Sequence, residues 1–170
     1  MKKFALIGTG IAHSKSPELF KLAGYDTSLF SYNLIESSNL ARALAFFENE
    51  GYIGANVTAP FKEEILKYCT HLHPSAKESD AANLIVKRGS SLEAYNTDTS
   101  GTIEPLLSRG VTSGRVLLVG AGGAARASAY ILNKNGFEVT IVNRTLEKAK
   151  QLSQRYNCDY IKVEEVPSNI

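Results

Sequence analysis

Cysteine is scarce in this sequence: two in 170 residues, Cys69 and Cys158, too far apart for a CxxC pair, while the three histidines form no HExxH pattern. Those absences leave no metal site to read, and both cysteines are expected as reduced, buried fillers. Net charge is equally short. Nineteen basic against seventeen acidic side chains leave +2, which supports neither nucleic acid nor a membrane surface as a main partner. No apolar run approaches the ~20 residues of a membrane span. Met1-Lys2-Lys3-Phe4-Ala5-Leu6-Ile7 begins as a signal peptide does, but Gly8 and Gly10 interrupt it, and Ala12-His13-Ser14-Lys15 follows in place of an A-x-A site. A first strand ending in a loop, in a cytoplasmic protein, is the expectation. Internal repeats and low-complexity tracts are missing too. What remains is globular composition, 44% hydrophobic and 21% charged, enough for one larger domain or two small ones at roughly 100–200 residues per domain.

Strand and helix signals alternate along the chain. Phe4 to Gly8, Leu29 to Ile35 and Ile53 to Thr58 read as strands. Ser16-Pro17-Glu18 opens one helix with Ser16 as its cap, Ser37 or Ser38 caps a second through Leu40, Leu44, Phe46 and Phe47, and Pro60 opens a third carrying Ile65, Leu66 and Tyr68. His71 to Pro74 reads as a loop and Ser75 to Ala81 as a short helix. Asn83 to Lys87 and Leu92 to Asn96 flank Gly89-Ser90-Ser91 as a hairpin. A helix over Thr99 to Arg109 is kinked, or really begun, by Pro105. The alternation predicts an α/β protein with largely parallel sheets.

The stretch Val116-Leu117-Leu118-Val119-Gly120-Ala121-Gly122-Gly123-Ala124-Ala125 reads as a strand, a glycine turn and the start of a helix. Gly120 permits the tight turn, Gly122 lets a pyrophosphate approach the backbone, and Ala125 allows close helix-strand packing. The helix would then offer its unpaired N–H groups to phosphate. A β-branched strand, Glu138 to Val142, supplies the context that a lone glycine motif lacks. A helix over Thr145 to Tyr156 and a strand over Tyr160 to Val163 follow. Where an NAD-binding protein usually carries an acid for the ribose 2′-hydroxyl, this chain has Asn143-Arg144-Thr145, with Lys148 a turn further on. A guanidinium bonds a 2′-phosphate that an acid would repel, so the expected cofactor is NADP. Only the first βαβαβ half of the dinucleotide fold is present, which predicts that the chain lacks part of its cofactor site.

In Asn56-Val57-Thr58-Ala59-Pro60-Phe61-Lys62, the strand period puts Asn56 and Thr58 on one face, and Lys62 enters from the first turn of the expected helix. A cation at the positive end of a helix is mildly unfavourable, which suits a lysine that must give up its proton. From the residues alone, a solvated surface lysine reads equally well. Asp98 serves either as a helix cap or as the partner of Lys62. Ser14 and Ser16 form a fair carboxylate site, Asn83 has only loop chemistry to recommend it, and His13 reads as a packed residue.

Five blocks in order, His13-Ser14-Lys15-Ser16-Pro17, Asn56 to Lys62, Asn96-Thr97-Asp98, Gly120 to Ala127 and Asn143-Arg144-Thr145, resemble the shikimate dehydrogenases. The first three together are specific to that family. The resemblance implies an N-terminal α/β substrate domain over residues 1–98, then the first half of a Rossmann dinucleotide-binding domain over 99–170. It implies reversible, NADP-dependent hydride transfer between 3-dehydroshikimate and shikimate in chorismate biosynthesis. Lys62 and Asp98 would be catalytic. Ser14 and Ser16 would bind the substrate carboxylate, and Asn56, Thr58 and Asn83 the ring hydroxyls. Gly120, Ala121, Gly122, Gly123, Ala124, Ala125, Asn143, Arg144, Thr145 and Lys148 would hold the cofactor. Alternatives are a quinate/shikimate enzyme able to use NAD and a truncated species that binds ligand without turnover. Family usage differs at Gly10, where proline is usual, and at Leu19-Phe20-Lys21, where a His-Asn pair is usual.

Overall fold

A computed structural model describes residues 1–166 of the chain. Residues 167–170, at the end of the expected second domain, lie outside the described part. The chain forms two compact units, Met1–Lys77 with Ala81–Asn96, and Glu78–Asp80 with Thr97 onward.

The first unit is built on six strands: β1 (Lys2–Gly8), β2 (Phe30–Glu36), β3 (Tyr52–Val57), β4 (His71–Leu72), β5 (Leu84–Arg88) and β6 (Ser91–Tyr95). They lie in the order β2-β1-β3-β5-β6-β4. Helices α1 (Ser16–Leu22) and α2 (Leu40–Asn49) connect β1 to β2 and β2 to β3, and a short α3 (Pro74–Glu78) follows β4. Crossovers of that length return the chain parallel, so β1 pairs parallel with both neighbours. The sheet is mixed, because the expected hairpin lies within it. Gly89, at φ +62, turns β5 directly into β6, and a short turn can join only antiparallel strands. One face carries Ala5, Ile7, Ala55 and Val57, packed beneath Leu40, Ala43, Leu44 and Phe47 of α2. This is the 3.6-residue stripe of a half-buried helix meeting the two-residue period of buried strands.

Several local expectations are corrected. Asn39, rather than Ser37 or Ser38, caps α2, its Oδ1 accepting the Arg42 N–H at 2.9 Å. Ser37 is turned instead toward residue 39, its Oγ donating to the Asn39 carbonyl. Lys15 occupies the cap position of α1, leaving Ser16 as its first residue. His71–Leu72 pairs with β6 rather than forming a loop. His13 is exposed, because the Ser14 N–H bonds the Ile11 carbonyl and the tight turn pushes residues 12 and 13 outward. No α-helix follows Pro60. A single 3₁₀ segment, Glu64–Tyr68, stands there, since the Lys62 carbonyl accepts the Ala82 N–H at 2.7 Å instead of continuing a helical ladder. Cys69 and Cys158 are free thiols, half-buried at the margins of the two cores rather than inside them.

In the second unit, β7 (Arg115–Val119), β8 (Glu138–Val142) and β9 (Asp159–Ile161) form a parallel sheet in that order. Helices α5 (Gly123–Lys134) and α6 (Leu146–Tyr156) join successive strands, giving a βαβαβ run. A further helix, α4 (Asp98–Leu107), precedes them and contains Pro105. Leu132, Val139, Ile141, Ala149 and Leu152 form the core with Ile103 of α4. The last strand stops at Ile161 rather than Val163. There the Glu165 carboxylate accepts the Lys162 N–H at 2.9 Å and curls residues 163–165 into a 3₁₀ turn.

Candidate active site

The first unit gathers six of the expected residues around the C-terminal ends of β1 and β3, the end at which open α/β sheets bind ligands. Asn56 lies within β3, and Thr58 directly follows the strand. The Thr58 N–H donates to the Ile7 carbonyl at 2.9 Å, and the Thr9 N–H donates to the Ala59 carbonyl at 3.1 Å. The loop beyond β3 is thereby fastened to the end of β1. Its other side is held through the Lys62 carbonyl at Ala82, while Phe61 and Ile65 are buried in the core. Lys62 is thus half-buried on a backbone fixed from both sides. The helix-end field expected at this lysine is missing, because the segment after it is one short 3₁₀ turn rather than a helix.

Asn83 lies beside β3, its carbonyl accepting the Val57 N–H at 2.8 Å and its N–H reaching the Tyr95 carbonyl at 3.0 Å. Ser14 and Ser16 face each other, with Oγ atoms 3.1 Å apart. On β2 stands a side chain that the sequence left unmarked: Tyr32 Oη donates to Asn56 Oδ1 at 2.8 Å. Burial pushes the Tyr32 hydroxyl up to about 12, so the phenol is a neutral donor at working pH. The alternation of Phe30, Tyr32 and Leu34 on one strand face was a signal for it. A half-buried tyrosine requires a partner for its hydroxyl, although the sequence does not say which.

In the second unit, Asp98 opens α4, in the first turn where a carboxylate is favoured, and is half-buried. The glycine turn has the geometry expected of it. Gly120 takes φ +116, and its N–H donates to the Val142 carbonyl at 2.8 Å. Gly122 is the cap of α5, with no side-chain bond to the helix end and nothing within 4 Å of where a Cβ would stand. Ala121 is buried, Gly123 and Ala125 are half-buried, Ala124 is exposed, and Ala125 packs on the core. At the end of β8, Asn143 Nδ2 donates to the Thr145 carbonyl at 2.9 Å. Thr145 holds the cap position of α6 without a side-chain cap bond, and Arg144 and Lys148 stand exposed at that helix start. Open glycine backbone, an uncapped helix end and two exposed cations together fit a phosphorylated dinucleotide.

A family model described as the shikimate dehydrogenase substrate binding domain matches residues 6–85. A second, described as shikimate / quinate 5-dehydrogenase, matches residues 106–170. The chain belongs to the shikimate dehydrogenase family. A shikimate dehydrogenase (NADP(+)) of Shouchella clausii is 35% identical over 99% of this chain and 63% of its own length. Among solved structures, shikimate dehydrogenase from Aquifex aeolicus superposes with a TM-score of 0.84 at 34% identity, covering 95% of this chain and 62% of that one. Shikimate 5-dehydrogenase from Thermus thermophilus, solved in complex with NADP(H) and shikimate, gives 0.79 at 30% identity, covering 95% and 63%. The chain therefore spans less than two thirds of the length of these family members.

Proposed function

We propose that this protein is an NADP-dependent shikimate dehydrogenase, with the substrate held by residues 1–98 and the nucleotide by residues 99–170. The observation that carries the reading is the convergence, at the ends of β1 and β3, of Ser14, Ser16, Asn56, Thr58 and Asn83 beside the fastened loop of Lys62. Two serine hydroxyls suit a carboxylate, and the amide and threonine groups suit ring hydroxyls. NADP, when bound, supplies the hydride acceptor for alcohol oxidation and the hydride donor for the reverse reaction. Lys62 takes the proton of the substrate hydroxyl as the carbonyl forms and returns it in the reverse direction. Asp98 is the second catalytic residue of this reading. Arg144, with Lys148, Asn143 and Thr145, holds the 2′-phosphate, and residues 120–125 cradle the pyrophosphate. Free cysteines are in keeping with the cytoplasm as the working compartment.

The experiment is NADP⁺ reduction followed with shikimate, then repeated with quinate and with NAD⁺. The reading expects NADPH to form with shikimate and NADP⁺. Preference for quinate with NAD⁺ would move the protein to the quinate/shikimate type. Tight ligand binding without reduction of either nucleotide would make this species a binding fragment.

A further inference from the structure

Within the first unit, polar groups from three separate segments, Tyr32, Asn56 and the Asn83 backbone, form one hydrogen-bonded series whose direction is fixed at its far end. The Asn83 carbonyl can only accept, so the Asn56 group that faces it at 3.4 Å is the amide nitrogen. Asn56 Oδ1 is thereby turned to Tyr32, which donates its single proton there. Both donors in the series point the same way, from Tyr32 to the Asn83 backbone, an arrangement in which each bond polarises the next.

Tyr32 reaches Asn56 across an intervening strand. It stands on β2 while Asn56 stands on β3, with β1 between them. That separation is roughly 9–10 Å at ordinary strand spacing, and only a long side chain closes it. Aromatic packing holds the ring on course. The Phe20 ring lies 5.1 Å from that of Tyr32 and stacks on Tyr25 at 4.6 Å.

We propose that Tyr32 is a positioning residue of the substrate site, holding the Asn56 side chain so that its amide offers its remaining N–H to a substrate hydroxyl. The inference rests on the substrate reading given above. The Tyr32–Asn56 bond is in place before substrate arrives. The amide is therefore already oriented for the ring hydroxyls. Without Tyr32 Oη, the Asn56 amide would be free to rotate, and each binding event would have to order it.

The test uses the full chain as wild type, Tyr32→Phe, Asn56→Ala and the double variant, titrated calorimetrically with shikimate. The Asn56 side-chain NH₂ signals are recorded by NMR without substrate. Phenylalanine keeps the ring packing and removes only the hydroxyl. Tyr32→Phe is expected to weaken shikimate about five- to tenfold, the loss of one hydrogen bond, and to speed exchange of the Asn56 amide protons. In the Asn56→Ala background the same change should alter affinity by less than about twofold, because its only route of action is gone. Equal affinity of wild type and Tyr32→Phe, or additive losses in the double variant, would overturn the proposal while leaving the proposed function standing. Failure of the wild-type chain to bind shikimate would overturn that function, and the amide signals alone would then decide Tyr32. Unchanged exchange in Tyr32→Phe would refute its positioning role, and faster exchange would support it.

Discussion

Gly8 and Thr58 are packed so closely that a Cβ on the glycine would lie 2.5 Å from Thr58 Cγ2. The same methyl would meet Ile11 Cγ2 at 2.9 Å and the Ala59 carbonyl oxygen at 3.2 Å. Thr58 cannot slide away, since its N–H is bonded to the Ile7 carbonyl. Gly8→Ala should therefore destabilise the protein by about 1–3 kcal/mol, the usual range for overpacking, and weaken shikimate binding through Thr58. Denaturant midpoints and calorimetric titration check both effects. Unchanged midpoint and affinity would mean that the loop gives way freely and does not define the site.

Alkaline pH should loosen the fold. Burial raises the Cys69 thiol from its ordinary 9.0 to about 11 and the Tyr32 phenol from 10.0 to about 12. In each window the unfolded group has lost a proton that the folded group still holds, so stability falls as pH rises. The contribution is complete below the unfolded value and is lost through about pH 9–11 for the thiol and 10–12 for the phenol. Urea midpoints measured across that range should decline, and Cys69→Ala should flatten the earlier part. A flat profile in the wild type would contradict the burial of both groups.

Much of this was legible in the sequence because it rests on local rules. The glycine turn, the β-branched strand after it and the alternation of strands with helices specify the βαβαβ run of the second unit. What was not legible depends on partners distant in sequence. Two serines near the start of α2 looked like caps, and their neighbour Asn39 took the position because the helix begins at Leu40. The stretch after Pro60 has helical spacing, yet its ladder is broken by Ala82, a residue beyond the next strand. Tyr32 is unmarked in the sequence for the same reason, since its partner Asn56 lies on another strand.

Arg144 is exposed at the start of α6; on the proposed function its guanidinium bonds the 2′-phosphate of NADP and has no equivalent partner on the bare ribose of NAD. Charge-assisted hydrogen bonds of this kind contribute about 1.5–3 kcal/mol. Arg144→Ala is accordingly expected to weaken NADP⁺ by roughly 10- to 100-fold and NAD⁺ by little. Fluorescence or calorimetric titration of both nucleotides reads the difference. Equal losses would mean that Arg144 acts on the common part of the dinucleotide.

The central claim is that Lys62, held on its fastened loop, carries the proton of the alcohol being oxidised. The most direct measurement is the steady-state rate of NADPH formation from shikimate and NADP⁺, compared between the wild type and Lys62→Ala. The account predicts NADPH formation by the wild type, a fall in kcat of on the order of 10²-fold or more in the variant, and a much smaller change in KM. A variant that turns over shikimate as fast as the wild type, or a wild type that forms no NADPH from shikimate, would contradict it.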